Sequence, residues 1–144
     1  MPFLLDTNVI SAARRPEKQS EAFQHFMREF DVEDAALSSV TIMEIKFGIQ
    51  REQKKDPIFA SDLEKWLSEI VLTSFTGRII PFDLDIAIRA GMLPTSDRRP
   101  SADAMIAATA LEHGLQVVTR NVAHFEPLGV ACVDPWQYSP SASR

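Results

Sequence analysis

Short continuous apolar runs alternate along the chain with longer stretches in which apolar residues return at helical spacing. Residues 101–121, SADAMIAATALEHGLQVVTRN, hold one complete unit of this kind. Ser101 after Pro100 predicts an N-cap, Ala102, Met105, Ile106, Ala110 and Leu111 an apolar helix face, and Gly114 the stop. Residues 115–118 then predict a strand covered on both faces. Earlier in the chain, residues 2–6 predict a strand ending in Asp6, and Thr7-Asn8 turn into a helix carrying Val9 and Ile10. Residues 17–30 place Ala22, Phe23, Phe26, Met27 and Phe30 on one helix face. A second strand is expected over 34–37, followed by a helix capped by Ser38 and Ser39 and running to Arg51. Val40, Met43 and Phe47 define the apolar face of that helix, widened by Ile42 and Ile45.

Residues 57–73 form another amphipathic pattern, in which Trp66 reads as a core or subunit-contact residue rather than a base-stacking platform. Ile79-Ile80 is a short strand between Gly77 and Pro81, and Asp83 caps a helix over 83–93. After Asn121, the turn NVAHF points Phe125 inward, residues 130–133 make an edge strand, and Trp136 closes the fold. Strands alternating with helices predict an α/β domain with a parallel sheet of four to five strands flanked by helices. The domain is expected over 1–136, with 137–144 as a flexible tail.

Composition narrows the class without changing the fold. A chain of 144 residues with 45% hydrophobic and 24% charged residues is a soluble globular domain. The single Cys132 excludes an internal disulfide and a thiolate zinc cluster. No apolar run approaches the ~18 residues that span a bilayer, and Phe3-Leu4-Leu5 is too short for a signal segment. A cytoplasmic protein without a membrane partner is expected. The net charge of −5 argues against a nucleic-acid partner when taken alone. Local basic groups (Arg14, Arg15 and Lys18; Lys54 and Lys55; Arg98 and Arg99) are either solvated surface or guides for a polyanion.

The acids carry the chemistry. In a parallel α/β sheet, strand carboxyl ends and helix N-termini share one edge, where ligands bind. Asp6 ends the first strand, Glu44 lies in the early turns of its helix, Asp103 opens the helix before the fourth strand, and Asn121 follows that strand. Asp6 also reads as a helix cap, and Asp103 as a residue favoured by the helix dipole. Glu44 falls within an apolar face, where a lone carboxylate is costly. It needs a metal, a buried Arg, or a place at the edge of the face. Two carboxylates ~5 Å apart repel by roughly 3 kcal/mol at an effective dielectric of ~20. A divalent cation converts that cost into a binding site, and an all-oxygen donor set suits Mg²⁺, with Mn²⁺ as substitute. The three histidines have no metal-ligand spacing.

LLDTNVIS, VTIMEIKFGI, DAMIAATALEHG and VVTRNVAHF, in this order, resemble PIN-domain ribonucleases, and more closely the VapC and FitB-type toxins of bacterial toxin–antitoxin pairs. The resemblance implies a three-layer α/β sandwich and a Mg²⁺-dependent endoribonuclease that cuts RNA. It implies inhibition by a small cognate antitoxin, contact with DNA only through that antitoxin, and homodimerisation to which the 57–71 region contributes. It places Asp6, Glu44 and Asp103 as the metal-binding acids and Thr119 as a hydroxyl beside the metal. The fourth position of the family pattern, commonly Asp, is Asn121 here, which leaves three formal charges and favours one tightly held ion over two. His124 stands where the family turn often carries an acid, and is not assigned a catalytic role. Two other functions share these residues: a PIN nuclease of RNA processing without an antitoxin, and a PIN module that binds RNA or protein without cutting. A phosphatase with Asp6 as nucleophile lacks the second aspartate of the DxDxT pattern.

Overall fold

The computed structural model describes residues 2–139. Five strands, β1 (Phe3–Leu5), β2 (Ala35–Ser38), β3 (Ile79–Ile80), β4 (Gln116–Val118) and β5 (Cys132–Val133), pair in parallel in the order β3-β2-β1-β4-β5. The helices are α1 (Thr7–Ala13), α2 (Glu21–Glu29), α3 (Ser39–Lys55), α4 (Pro57–Trp66), α5 (Leu72–Ser74), α6 (Leu84–Met92), α7 (Ala102–His113) and α8 (Val122–Phe125). A π turn, Leu67–Val71, joins α4 to α5. Among the described residues, no helix is long and apolar enough to cross a membrane.

Successive strand residues point to opposite faces, and both faces are covered. Leu4, Ala36 and Val117 face one core with Ile86, Ile106 and Phe125. Leu5, Leu37 and Val118 face the other with Val9, Phe23, Ile45 and Val71. The result is the three-layer α/β sandwich with a parallel sheet. Helix α7 is buried on more than the one face expected: Ala104, Ile106, Ala107, Ala108, Thr109 and Ala110 are all inaccessible. Its alanines carry little side chain, so neighbouring elements close in on several sides. Ser101 caps it by accepting the Ala104 N–H, and Gly114 ends it at φ 66°, a left-handed conformation that favours glycine.

Three sequence expectations shift. The helix expected over 17–30 starts later, because the Ser20 hydroxyl accepts the Phe23 N–H and caps α2 there. The inward face of α3 is Val40, Thr41, Ile45 and Ile49, whereas Met43 and Phe47 are 56% and 57% exposed. Thr41, Ile45 and Ile49 repeat every four residues, so they align on one side and Met43 and Phe47 turn outward. Tyr138, expected in a tail, packs edge-on against Phe26 at 5.3 Å and donates to Glu29. The rest of that tail, 140–144, lies outside the described residues.

Ile106→Ala is expected to cost about 2–5 kcal/mol through the cavity it leaves beneath the sheet. Gly114→Ala should cost about 1–2 kcal/mol through its left-handed backbone. Urea unfolding followed by circular dichroism checks both.

Candidate functional site

The chain runs outward from β1 in both directions, to β2 and β3 on one side and to β4 and β5 on the other. Such an order leaves a crevice at the carboxyl ends of β1 and β4. Asp6 and Thr119 are the first residues past those two strand ends. The Asp6 N–H bonds the Val118 carbonyl at 2.9 Å, extending the ladder by one rung. Across the crevice, the Thr119 hydroxyl donates to Asp6 Oδ2 at 2.8 Å.

Asp6 is 3% exposed, yet it meets no Lys, Arg or His within ion-pair distance among the described residues. Its charge rests on hydrogen bonds instead. Oδ1 accepts the Thr7 N–H at 2.7 Å, which is also the cap of α1. Oδ2 accepts the Asn8 amide at 3.0 Å as well as the Thr119 hydroxyl. Burial pushes the Asp6 carboxyl above the ordinary aspartate value of 3.8, against the pull of Thr119 and Thr7. The charges of Asp103 and Glu44 push it further in the same direction.

Glu44 stands at the edge of the inward face of α3, half-buried. Its Oε1 accepts the Thr7 hydroxyl at 2.5 Å. That hydroxyl has one proton, so its oxygen is left to accept from the buried Thr41 hydroxyl at 3.2 Å. Among the described residues no arginine pairs with Glu44, and its place at the edge of the face keeps it half-buried. Asp103, in the first turn of α7, lies 3.3 Å from His124 Nδ1 through its Oδ2. Asn121 is exposed, and its backbone N–H donates to the Thr119 hydroxyl at 2.9 Å. Thus Thr7 joins Asp6 to Glu44, Thr119 joins Asp6 to the backbone of Asn121, and Asp103 contacts His124.

Sequence reasoning passed over Asn8. Its amide nitrogen holds Asp6, while its Oδ1 accepts the Arg120 N–H at 3.2 Å, so one side chain ties β1 to β4. The signal was the two-residue spacing in DTN, which puts Asn8 within reach of Asp6 on the first helical turn. Of the basic groups, Arg15 is paired with Glu17 at 2.8 Å and Arg14 sits over Phe59. Arg98 and Arg99 are exposed in the loop before Asp103.

The donor set fits a hard divalent cation. The donors are oxygens, and Asp6, the most buried, lacks a cationic partner. Among the described residues, no three Asp, Glu, His or Cys side chains lie close enough together to hold one ion by themselves. A hard divalent ion that keeps several waters needs only one or two carboxylates directly.

Residues 3–126 match the family described as PIN domain. The chain belongs to the PIN-domain family. This PIN domain is 36% identical over 140 residues to Toxin FitB of Neisseria gonorrhoeae, covering 92% of this chain and 97% of that protein. It is 33% identical over 141 residues to VapC ribonuclease Y4jK of Sinorhizobium fredii, covering 93% and 97%. Among solved structures, FitAcB from Neisseria gonorrhoeae matches with a TM-score of 0.81 at 32% identity, covering 94% of this chain and 99% of that chain. The architecture and strand direction agree with the PIN fold of that structure.

The raised carboxyl of Asp6 has a pH consequence. The native PIN domain holds that proton more tightly than the unfolded chain. The destabilising effect is therefore absent below 3.8, grows as pH rises through the native value, and is constant above it. In EDTA, thermal melts across that window should show this decline in the wild type. Asp6→Asn should flatten it and raise the melting temperature at neutral pH.

Proposed function

We propose that this chain is a divalent-metal-dependent endoribonuclease, the toxin of a toxin–antitoxin pair, working on RNA in the cytoplasm. The observation that carries this reading is the buried Asp6 carboxylate past the ends of β1 and β4, which no Lys, Arg or His side chain pairs with among the described residues. The similarity to proteins named Toxin FitB and VapC ribonuclease supports it.

Asp6, Glu44 and Asp103 are the groups that would hold Mg²⁺, or Mn²⁺ in its place, and Asn121 offers a neutral amide oxygen at the rim. A divalent ion, when bound, offsets the repulsion among these acids, acidifies a water and supplies positive charge to a phosphodiester. The protein's part is orientation. Thr7, Asn8 and Thr119 fix both oxygens of Asp6, so the carboxylate cannot swing to solvent. The Thr7 hydroxyl fixes Glu44 in the same way. Asp103 and Asn121 form the open side of the crevice, from which a polyanion approaches.

A cognate antitoxin is supported by the FitB relative, named a toxin, and by the FitAcB structure. An arginine from such a partner would complement the three acids, and DNA would be met only through that partner. A homodimer is supported by the apolar surface left on adjacent helices. Met43 and Phe47 on α3, and Ile58 and Ile70 beyond it, are 56%, 57%, 78% and 56% exposed.

Purified protein incubated with total RNA should cleave it in Mg²⁺ and not in EDTA. Asp6→Asn and Asp103→Asn should abolish cleavage, and Asn8→Ala, which only orients Asp6, should reduce it about 10–100-fold. Cleavage that persists in EDTA, or in Asp6→Asn, overturns the reading. Phe47→Glu should convert a dimer to a monomer in analytical ultracentrifugation while leaving the circular dichroism spectrum unchanged.

A further inference from the structure

A ribonuclease with a net charge of −5 and three acids at its crevice needs a fixed cation to receive a polyanion. Most cations near the sheet are already engaged. Arg15 pairs with Glu17, Lys46 with Glu64, and Arg89 with Glu112. Arg78 is spent on the carbonyls of Ala35 and Ser74. Arg120 differs. It is exposed, and among the described residues its guanidinium meets neither a carboxylate nor a carbonyl.

Its position is nevertheless fixed at both ends. At the backbone, its N–H donates to Asn8 Oδ1 at 3.2 Å, and the same Asn8 holds Asp6 at 3.0 Å. Its chain neighbour Thr119 bonds Asp6 directly. At the far end, the guanidinium carbon lies 4.7 Å from the centre of the Trp136 ring. Trp136 is itself anchored, stacked on buried Phe23 at 4.6 Å and donating from its indole nitrogen to Gln19 at 3.3 Å. A cation laid on an aromatic face keeps its N–H groups free at the edge, in the fork that matches phosphate.

We propose that Arg120 is a positioning residue for substrate, gripping an RNA phosphate beside the acid crevice while Trp136 holds the guanidinium in place. This rests on the ribonuclease reading above. The Arg120–Trp136 stack then does more than pin the last turn of the chain to the body. It fixes the far end of a cationic side chain whose backbone is tied through a single side chain, Asn8, to the buried acid. Asn8 thereby fixes where the Arg120 side chain starts relative to Asp6, and Trp136 fixes where it ends.

The test is cleavage of total RNA, its concentration counted in phosphates, by the full chain in Mg²⁺ over a series of KCl concentrations. Arg120→Ala should raise KM about 10-fold or more, the value of a charged hydrogen bond, with kcat little changed. The slope of log(kcat/KM) against log[salt] should fall by about one. Arg120→Lys should restore the salt slope but only part of the KM, because it keeps charge without the planar fork. If Arg120→Ala does not fold, Arg120→Gln, which keeps a planar amide over Trp136, takes its place. A lower melting temperature with unchanged KM and salt slope would mean that Arg120 is a clamp only, and would overturn the proposal while the ribonuclease reading stands. No cleavage by the wild type would sink both.

Discussion

A nearly water-free carboxylate with no Lys, Arg or His partner among the described residues is the constraint on which the site depends. Asp6 sits where a charge is costly, and the chain answers with three hydrogen-bond donors rather than a Lys or Arg. Those donors come from Thr7, Asn8 and Thr119, which lie on both sides of the central crevice. They stabilise the charge partly; burial still prevails, as the raised carboxyl shows. A basic partner would have quenched the charge and closed the crevice. Donors leave its field facing outward, joined there by Glu44 and Asp103.

The fold makes this arrangement possible because each acid belongs to a different rigid element. Asp6 is fixed by the first turn of α1 and the ladder to β4, Glu44 by α3 and Asp103 by α7. Successive residues of β1 anchor two separate cores, Leu4 in one and Leu5 in the other. The next residue in line, Asp6, is thus held from both sides by packing. Sites placed on packed elements keep their geometry better than sites on loops.

Much of this was legible in the sequence because local signals were strong. Ser101, Gly114 and the short apolar runs marked element ends, and the ends carry Asp6, Asp103 and Asn121. Glu44 was harder. The apolar positions Met43 and Phe47 pulled the inferred face around α3, whereas the structure buries Thr41, Ile45 and Ile49 instead. A threonine in the inward stripe is invisible to a hydrophobicity pattern, yet Thr41 is what links Glu44's hydroxyl partner to the core. Asn8 and Arg120 escaped for a different reason. Asn8 has a local tie to Asp6 in DTN, but its bond to Arg120 joins residues 112 positions apart, which no local pattern contains.

That separation bears on synthesis. The bond from Thr119 to Asp6 spans 113 positions, and β1 finds its β4 neighbour only after most of the chain exists. Long-range parallel pairing forms late, because loop closure must precede its reward. During translation, Asp6 therefore precedes Thr119 by most of the synthesis, with only its local partners Thr7 and Asn8 within reach. The crevice comes into being only when the β4 segment arrives. Until then the Asp6 carboxylate has no Thr119 hydroxyl beside it, and the site is incomplete.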